Sequence, residues 1–312
     1  MIQYFFNKEG HTLEISKPEN GAWINLVPPF KDEEFIELSD ELDIPIEFLR
    51  DSLDIDERPR FEKEDNTRFI VLKTPTENNS FNESDAFYIT IPICIILTHN
   101  QIVTVNSFDN AAIKKFLNTF QNRHPDKKNM MVLKIVEKII QNFMEYLKEI
   151  NQKINQYEQQ LYDSYKNEQL LNLMRVQKSL VYFITSLRTN EMMLMKLSRT
   201  NFLGLTDDDK DYLEDLLVDL SQALEMANIY SNNLTSSMDT FASIINNNMN
   251  TVMKRLTSIT LIISIPSLVA GIYGMNVDIP YQKSGHAFYI PVIISLLFSV
   301  VLSGYFFKKK WF

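Results

Sequence analysis

The chain is expected to fold as a mixed α+β domain followed by long helices, the last two of which cross a membrane. Three observations lead there. Prolines and short Ile-, Val- and Phe-rich runs punctuate the first ~125 residues, yet no proline stands between Pro125 and Pro266, and Gly204 is the only glycine in that stretch. Two uncharged runs, Leu256–Tyr273 and Ala287–Phe307, close the chain. Charge is also segregated. Residues before Leu256 hold 27 basic against 39 acidic side chains, while those from Leu256 onward hold Lys283, Lys308, Lys309 and Lys310 against Asp278 alone.

In residues 1–125, Ala22–Val27, Thr67–Lys73, Ala86–Leu97 and Gln101–Asn106 have strand composition. Asp32–Leu42 and Asn110–Gln121 are expected helices, each opened by a residue that can cap free backbone N–H groups. In residues 126–206 a cytosolic helical hairpin is expected. Ile135, Ile139, Phe143, Leu147, Ile150, Ile154, Tyr157 and Leu161 recur at three and four spacing on one helix face. A second helix runs from Glu168 to about Phe202 and ends at Gly204. Thr206 with Asp207-Asp208-Asp209 then starts a third, with no obvious break until Pro266. Such a helix far exceeds the ~12 residues typical of globular proteins and needs a coiled-coil-like partner or a membrane.

The uncharged runs supply the membrane. At ~1.5 Å per residue, 287–307 extends about 31 Å, the thickness of a hydrocarbon core; buried core helices are the alternative. Lys254-Arg255 precedes the first run and Lys308-Lys309-Lys310 follows the second, so the positive-inside rule puts both termini in the cytoplasm. The expected order is thus a cytosolic stalk over 207–255, a first span over 256–273, an outward loop over 274–286, a second span over 287–307 and a basic tail over 308–312. Trp311 and Phe312 suit an interfacial anchor.

Composition removes several function classes. A net charge of −9 argues against a nucleic-acid partner. Cys94 is the single cysteine, which excludes an internal disulfide and a cysteine-based zinc site; its apolar surroundings suggest a buried, inert thiol. Seven glycines leave no Gly-rich phosphate loop and no Gly-x-Ser-x-Gly elbow. No nucleophile–base pair or cofactor motif is recognisable, so an enzyme is not expected. No basic leader precedes an apolar stretch at the start, so a cleaved signal is not expected either.

The first span is more than a lipid anchor. Thr260, Ser264, Ser267 and Gly271 share one helical face, and Asp239, Asn246, Asn250, Met253 and Leu256 extend it upstream. Small and hydroxyl residues also let helices pack closely in lipid. The competing reading is a pore lined by copies of this helix, which requires a symmetric oligomer because two spans cannot enclose water. A narrow apolar constriction at Met253 and Leu256 would gate such a pore by dewetting.

The first span ends Pro266-Ser267-Leu268-Val269-Ala270-Gly271-Ile272-Tyr273-Gly274-Met275-Asn276, and the chain closes Lys308-Lys309-Lys310-Trp311-Phe312. This resembles the CorA family of magnesium transport proteins, whose signature is Gly-Met-Asn after the first of two C-terminal spans. Arg58-Pro59-Arg60-Phe61-Glu62 and Phe69-Ile70-Val71-Leu72-Lys73 are similar to the family's cytosolic domain, so the resemblance covers the whole chain. It implies a funnel-shaped homopentamer in the cell (inner) membrane, with a central pore made by the first span. It also implies Mg²⁺ influx, tolerance of Co²⁺ or Ni²⁺, and closure by cytosolic Mg²⁺ held between protomers. The expected partners are lipid and further copies of the chain, with no protein substrate.

Mg²⁺ dehydrates reluctantly, so a filter of Tyr273, Gly274, Met275 and Asn276 should touch its water shell through neutral carbonyl oxygens. Gly274 is equally readable as a helix stop. Many relatives carry an acidic outer loop, whereas Val277–Lys283 has one acid and one base, so recruitment at the mouth should be weak. By resemblance the regulatory metal ligands are Asp215, Glu137 and the pair Asp65–Asn66, where Asn66 replaces a more usual aspartate and should weaken the site. A solvated helix face is the plainer account of Asp215. The remaining alternative is a Zn²⁺ transporter of the same superfamily. His11, His99, His124 and His286 are scattered, and the pore face has no His or Cys to favour zinc.

Overall fold

The computed structural model describes residues 2–8, 11–15, 21–29, 32–78, 85–106, 113–114, 116, 128–164, 167–276, 283 and 285–311. Its contacts divide into two units, Met1–Ser236 and Ser237–Phe312. In the first, strands β1 (Ile2–Lys8), β2 (His11–Ile15), β3 (Trp23–Leu26), β4 (Arg60–Glu64), β5 (Thr67–Glu77), β6 (Tyr88–Leu97) and β7 (Ile102–Asn106) form one sheet. Its order is β2-β1-β3-β7-β6-β5-β4, antiparallel except between β3 and β7. Helices α1 (Asp32–Leu42) and α2 (Ile46–Asp51) connect β3 to β4. Of the expected helix 110–121, only Ile113, Lys114 and Phe116 lie within the described residues.

The strands β1, β2 and β4 and the helix α2 add to the elements expected from sequence. β4 is Arg-Phe-Glu-Lys-Glu, a charged edge strand with no residue fully buried. Charge protects a sheet edge from adding foreign strands, and the same charge hides the strand from pattern reading. The central strands β5, β6 and β7 are near-continuously buried, as in a sheet covered on both faces. On one face Phe35, Leu38, Phe48 and Leu49 pack against Ile24, Phe69, Cys94 and Val103. Burial pushes the Cys94 thiol up to about 12, so the thiolate is not populated near neutrality.

Two long helices, α3 (Lys128–Ser164) and α4 (Asn167–Thr200), form a hairpin that contacts β5 and β6. The expected apolar stripe of α3 is its buried face: Ile135, Phe143, Leu147, Ile150 and Leu161 are fully covered. The attachment is also polar. Beyond Val71, β5 has no partner in β4, and there the Asn190 amide of α4 substitutes for a strand. Lys73 N donates to Asn190 Oδ1 at 2.9 Å, and Asn190 Nδ2 donates to Lys73 O at 2.8 Å. Tyr88 N donates to Ser179 Oγ at 3.0 Å, and Asn142 Nδ2 to Pro75 O at 3.3 Å.

Gly204, in the left-handed region at φ 65°, follows α4. The next helix, α5 (Asp207–Tyr273), opens with a reciprocal cap in which Thr206 N donates to Asp209 Oδ2 and Asp209 N to Thr206 Oγ1. It runs 67 residues and passes through Pro266 without ending. The last helix is α6 (Tyr289–Lys308). Both contain a window long and apolar enough to span a membrane, and only 6% of each window is buried by the chain itself. Helices of a soluble core would be mostly covered, so that alternative fails.

Replacing Asn190, which is 1% exposed, by Ala would leave the N–H and C=O of half-buried Lys73 without this partner. The expected loss is about 2–4 kcal/mol of unfolding free energy, read from the urea midpoint of the full chain. An unchanged midpoint would mean that the amide is not what holds α4 to β5.

Candidate ion pathway and cation sites

Why α5 survives Pro266 explains how its faces are used. A proline lacks the N–H that would bond the carbonyl four residues back, here that of Ile262. Ser299 Oγ of α6 donates to Ile262 O instead, at a long 3.4 Å. In lipid a neighbouring hydroxyl is one of the few available substitutes. At ~100° per residue, Ser258, Ile262, Ile265, Val269 and Tyr273 fall on this one side of α5. Ser258 is buried and the other four are half-buried.

The polar stripe lies on the opposite side. Asp239, Asn246, Asn250, Met253, Leu256, Thr260, Ser264, Ser267 and Gly271 occupy a sector of roughly 120°, and all are exposed in the single chain. Within the chain, then, the small and hydroxyl residues do not serve the packing of α5 on α6. A Cβ built on Gly271 meets nothing within 4 Å. The hydroxyl protons are spent inward: Thr260 Oγ1 donates to Leu256 O, Ser264 Oγ to Leu261 O and Ser267 Oγ to Ile263 O. What they present outward is lone pairs, the polarity that accepts hydrogen bonds from water around a cation.

After Tyr273 the helix closes through Gly274 N to Ala270 O at 2.9 Å and Met275 N to Ile272 O at 3.3 Å. A Cβ on Gly274 would sit 3.1 Å from Ala270 O, tighter than ordinary contact, so glycine relieves a close approach there. Met275 and Asn276 are exposed. Tyr273, expected in the filter with Gly274, Met275 and Asn276, is half-buried on the same side of α5 as Ile262, whereas the other three are exposed. Residues 277–282 and 284, between α5 and α6, lie outside the described residues.

In the first unit, the residues expected to hold a regulatory cation have unlike surroundings. Asp215 is exposed on α5. Asp65 heads the β4–β5 turn at φ 47°, a left-handed conformation that Asp tolerates. Asn66 lines a depression of about 260 Å³ with Lys63, Arg68, His99 and Lys128, and no carboxylate lines it among the described residues. That is poor ground for a cation. Glu137 is already engaged: Lys134 Nζ donates to it at 3.1 Å and to Tyr212 Oη at 2.6 Å. Burial alone would raise the Glu137 pKa, but hydrogen bonds from Tyr212 and Lys134 outweigh it and hold the carboxyl below its usual range. Among the described residues no three His, Cys, Asp or Glu side chains converge on a metal position. Exposed carboxylate oxygens of Asp215 and Asp65 fit the hard-donor preference of Mg²⁺; Asn66 and Glu137 fit it less well.

The family model described as CorA-like Mg²⁺ transporter protein matches residues 19–309. The chain belongs to this family. A CorA protein of Methanocaldococcus jannaschii, a cobalt/magnesium transport protein, is 29% identical over 93% of this chain and 90% of its own length. The complete structure of the CorA magnesium transporter from the same organism superposes with a TM-score of 0.86 at 25% identity, covering 100% of this chain and 99% of that one. The ZntB cytoplasmic domain of Vibrio parahaemolyticus matches at a TM-score of 0.61 and 14% identity, over 80% of this chain and 97% of that domain, which shows a shared fold alone. CorA proteins are transporters, so the chain is a membrane transporter of the Mg²⁺ family and no enzyme.

The Ser299–Ile262 contact yields a double-mutant test. Ser299→Ala is expected to cost about 0.5 kcal/mol in detergent, and Pro266→Ala, which restores the N–H, should make it neutral. Equal costs in both backgrounds would show that Ser299 does not compensate for Pro266.

Proposed function

We propose that the chain assembles as a homopentamer whose α5 helices surround a pore, and that this pore passes hydrated Mg²⁺, and Co²⁺ or Ni²⁺, into the cell. The observation that carries the reading is the exposed stripe on α5, opposite α6, with its hydroxyl protons turned inward. Its orientation, termini in the cytoplasm of an inner-membrane protein, follows from Lys254-Arg255 and Lys308–Lys310. Influx needs no fuel. A divalent ion crossing 100 mV gains about 4.6 kcal/mol, a ratio of over a thousandfold. Zn²⁺ would be better served by nitrogen or thiolate ligands than by this hydroxyl and amide lining.

A ring of Asn276 carbonyl oxygens at the outer end would bind the water shell without a fixed charge to trap the ion. Asn276→Ala is expected to abolish Mg²⁺ flux into proteoliposomes while the oligomer persists. Asn276→Asp should slow release by binding more tightly. Wild-type flux and selectivity in the alanine variant would refute this role.

Further along, Met253 and Leu256 would form a dry constriction. Leu256→Ser is expected to raise leak conductance, whereas Val269→Ala, on the α6 side, should leave it unchanged. Equal effects would mean that the stripe does not face the axis.

Cytosolic Mg²⁺ between Asp215 of one protomer and Asp65 of the next would favour closure by screening carboxylates that otherwise repel. Asp215→Ala should therefore raise the internal Mg²⁺ concentration that halves the current, and Asp215→Lys should mimic the bound ion and favour closure. Asn66→Asp is expected to do little, since Lys63, Arg68 and Lys128 surround it. An unmoved half-inhibition in Asp215→Ala would put the regulatory ion elsewhere.

A further inference from the structure

We infer that the basic end of the α5–α6 hairpin is a preformed site for the phosphate headgroups of anionic lipids, built from Lys254, Arg255, Lys308, Lys309 and Lys310. The inference rests on the reading of α5 and α6 as membrane spans. Three observations support it.

The first is register. Ser299 Oγ donates to Ile262 O, and two consecutive membrane spans of one chain cross in opposite directions. Extended seven residues along each helix in opposite directions, that register would bring Phe306 level with Arg255. Burial agrees, because Phe306 is 4% and Ser258 0% exposed while their helical neighbours are mostly open. On that register Lys308–Lys310 would lie level with the turn of α5 that carries Lys254 and Arg255.

The second is the conformation of the tail. Lys310 takes a left-handed conformation at φ 55°. Lys309 N donates to Tyr305 O, Lys310 N to Phe307 O and Trp311 N to Phe306 O, at 3.0, 3.1 and 3.1 Å. The turn lays the Trp311 ring on Phe306, with centroids 5.1 Å apart and planes 18° apart. A lysine in this region needs a reason, and the stacked ring supplies one. The three lysines are thus held at the helix end, where the carbonyl dipoles also favour cations.

The third is charge. All five cations are exposed, and the only acidic side chains in the unit are Asp239 and Asp278. Asp239 is fifteen residues before Lys254, about 22 Å along the helix and beyond a Debye length. A local cluster of five positive charges on a chain of net −9 is an electrostatic exception that calls for an anion. Clusters of four to eight Lys and Arg at the cytoplasmic end of a span recognise anionic lipid. The occupant is lipid rather than soluble phosphate because the cluster adjoins the uncharged spans and is flanked by an interfacial tryptophan.

The test uses the full-length protein reconstituted into vesicles of equal parts phosphatidylcholine and phosphatidylglycerol, with retained lipid counted by native mass spectrometry after detergent extraction. The wild type should retain phosphatidylglycerol in clear excess. In the triple variant Lys308→Gln, Lys309→Gln, Lys310→Gln that preference should fall about a hundredfold at low salt, while the corresponding Lys→Arg triple should keep it. Equal retention of both lipids by the wild type, or an unchanged preference in the glutamine triple, overturns the inference. So does displacement of phosphatidylglycerol by inorganic phosphate beyond that by chloride at matched ionic strength, which would identify a soluble-anion site. Insertion and Mg²⁺ flux without phosphatidylglycerol enrichment defeat this inference alone. Failure to insert at all defeats the membrane reading with it.

Discussion

A helix in hydrocarbon has no water to satisfy a stray carbonyl, and Pro266 leaves one, that of Ile262, in the middle of α5. The hydroxyl of Ser299 answers it from α6. This contact marks the side of α5 that belongs to its own chain, and the opposite side follows by geometry. The bond is long and individually weak. Its leverage comes from where it sits, beside a row of half-buried side chains that would otherwise have only lipid-like contacts to choose between.

The first unit solves a similar problem with amides. Beyond Val71, β4 no longer pairs with β5, and the Asn190 carboxamide presents one acceptor and one donor to Lys73 in place of a strand. Ser179 and Asn142 serve neighbouring backbone groups. The α3–α4 hairpin is therefore attached to the sheet by directional bonds as well as by the apolar face of α3. Such bonds specify a single docking geometry, because a slip would leave buried donors unpaired.

Charge in this protein must be judged by surroundings. Asp215 and Asp65 are exposed carboxylates, Glu137 is claimed by Lys134 and Tyr212, and Asn66 lies among cations. Four residues that look equivalent as oxygen donors are thus unequal as cation ligands. An acidic composition says nothing of this, since it sums over groups that neighbours have already neutralised.

The sequence by itself determined the elements whose cause is local. The heptad-like stripe of α3, the cap at Thr206–Asp209, the stop at Gly204, the two spans and the polar face of α5 all follow from residue spacing, because helical periodicity is a property of the chain alone. It also carried the resemblance from which the family was expected, and the family is the one whose model matches residues 19–309. Tertiary structure decided what depends on partners distant in sequence. β4 is a strand because Arg60–Glu64 pairs with Thr67–Val71, although its own residues carry no strand pattern. Pro266 fails to end α5 where Ser299 of α6 meets the carbonyl that the proline orphans, and Tyr273 is half-buried while Gly274, Met275 and Asn276 are exposed. Spacing reveals which residues share a face; only packing reveals which face is taken.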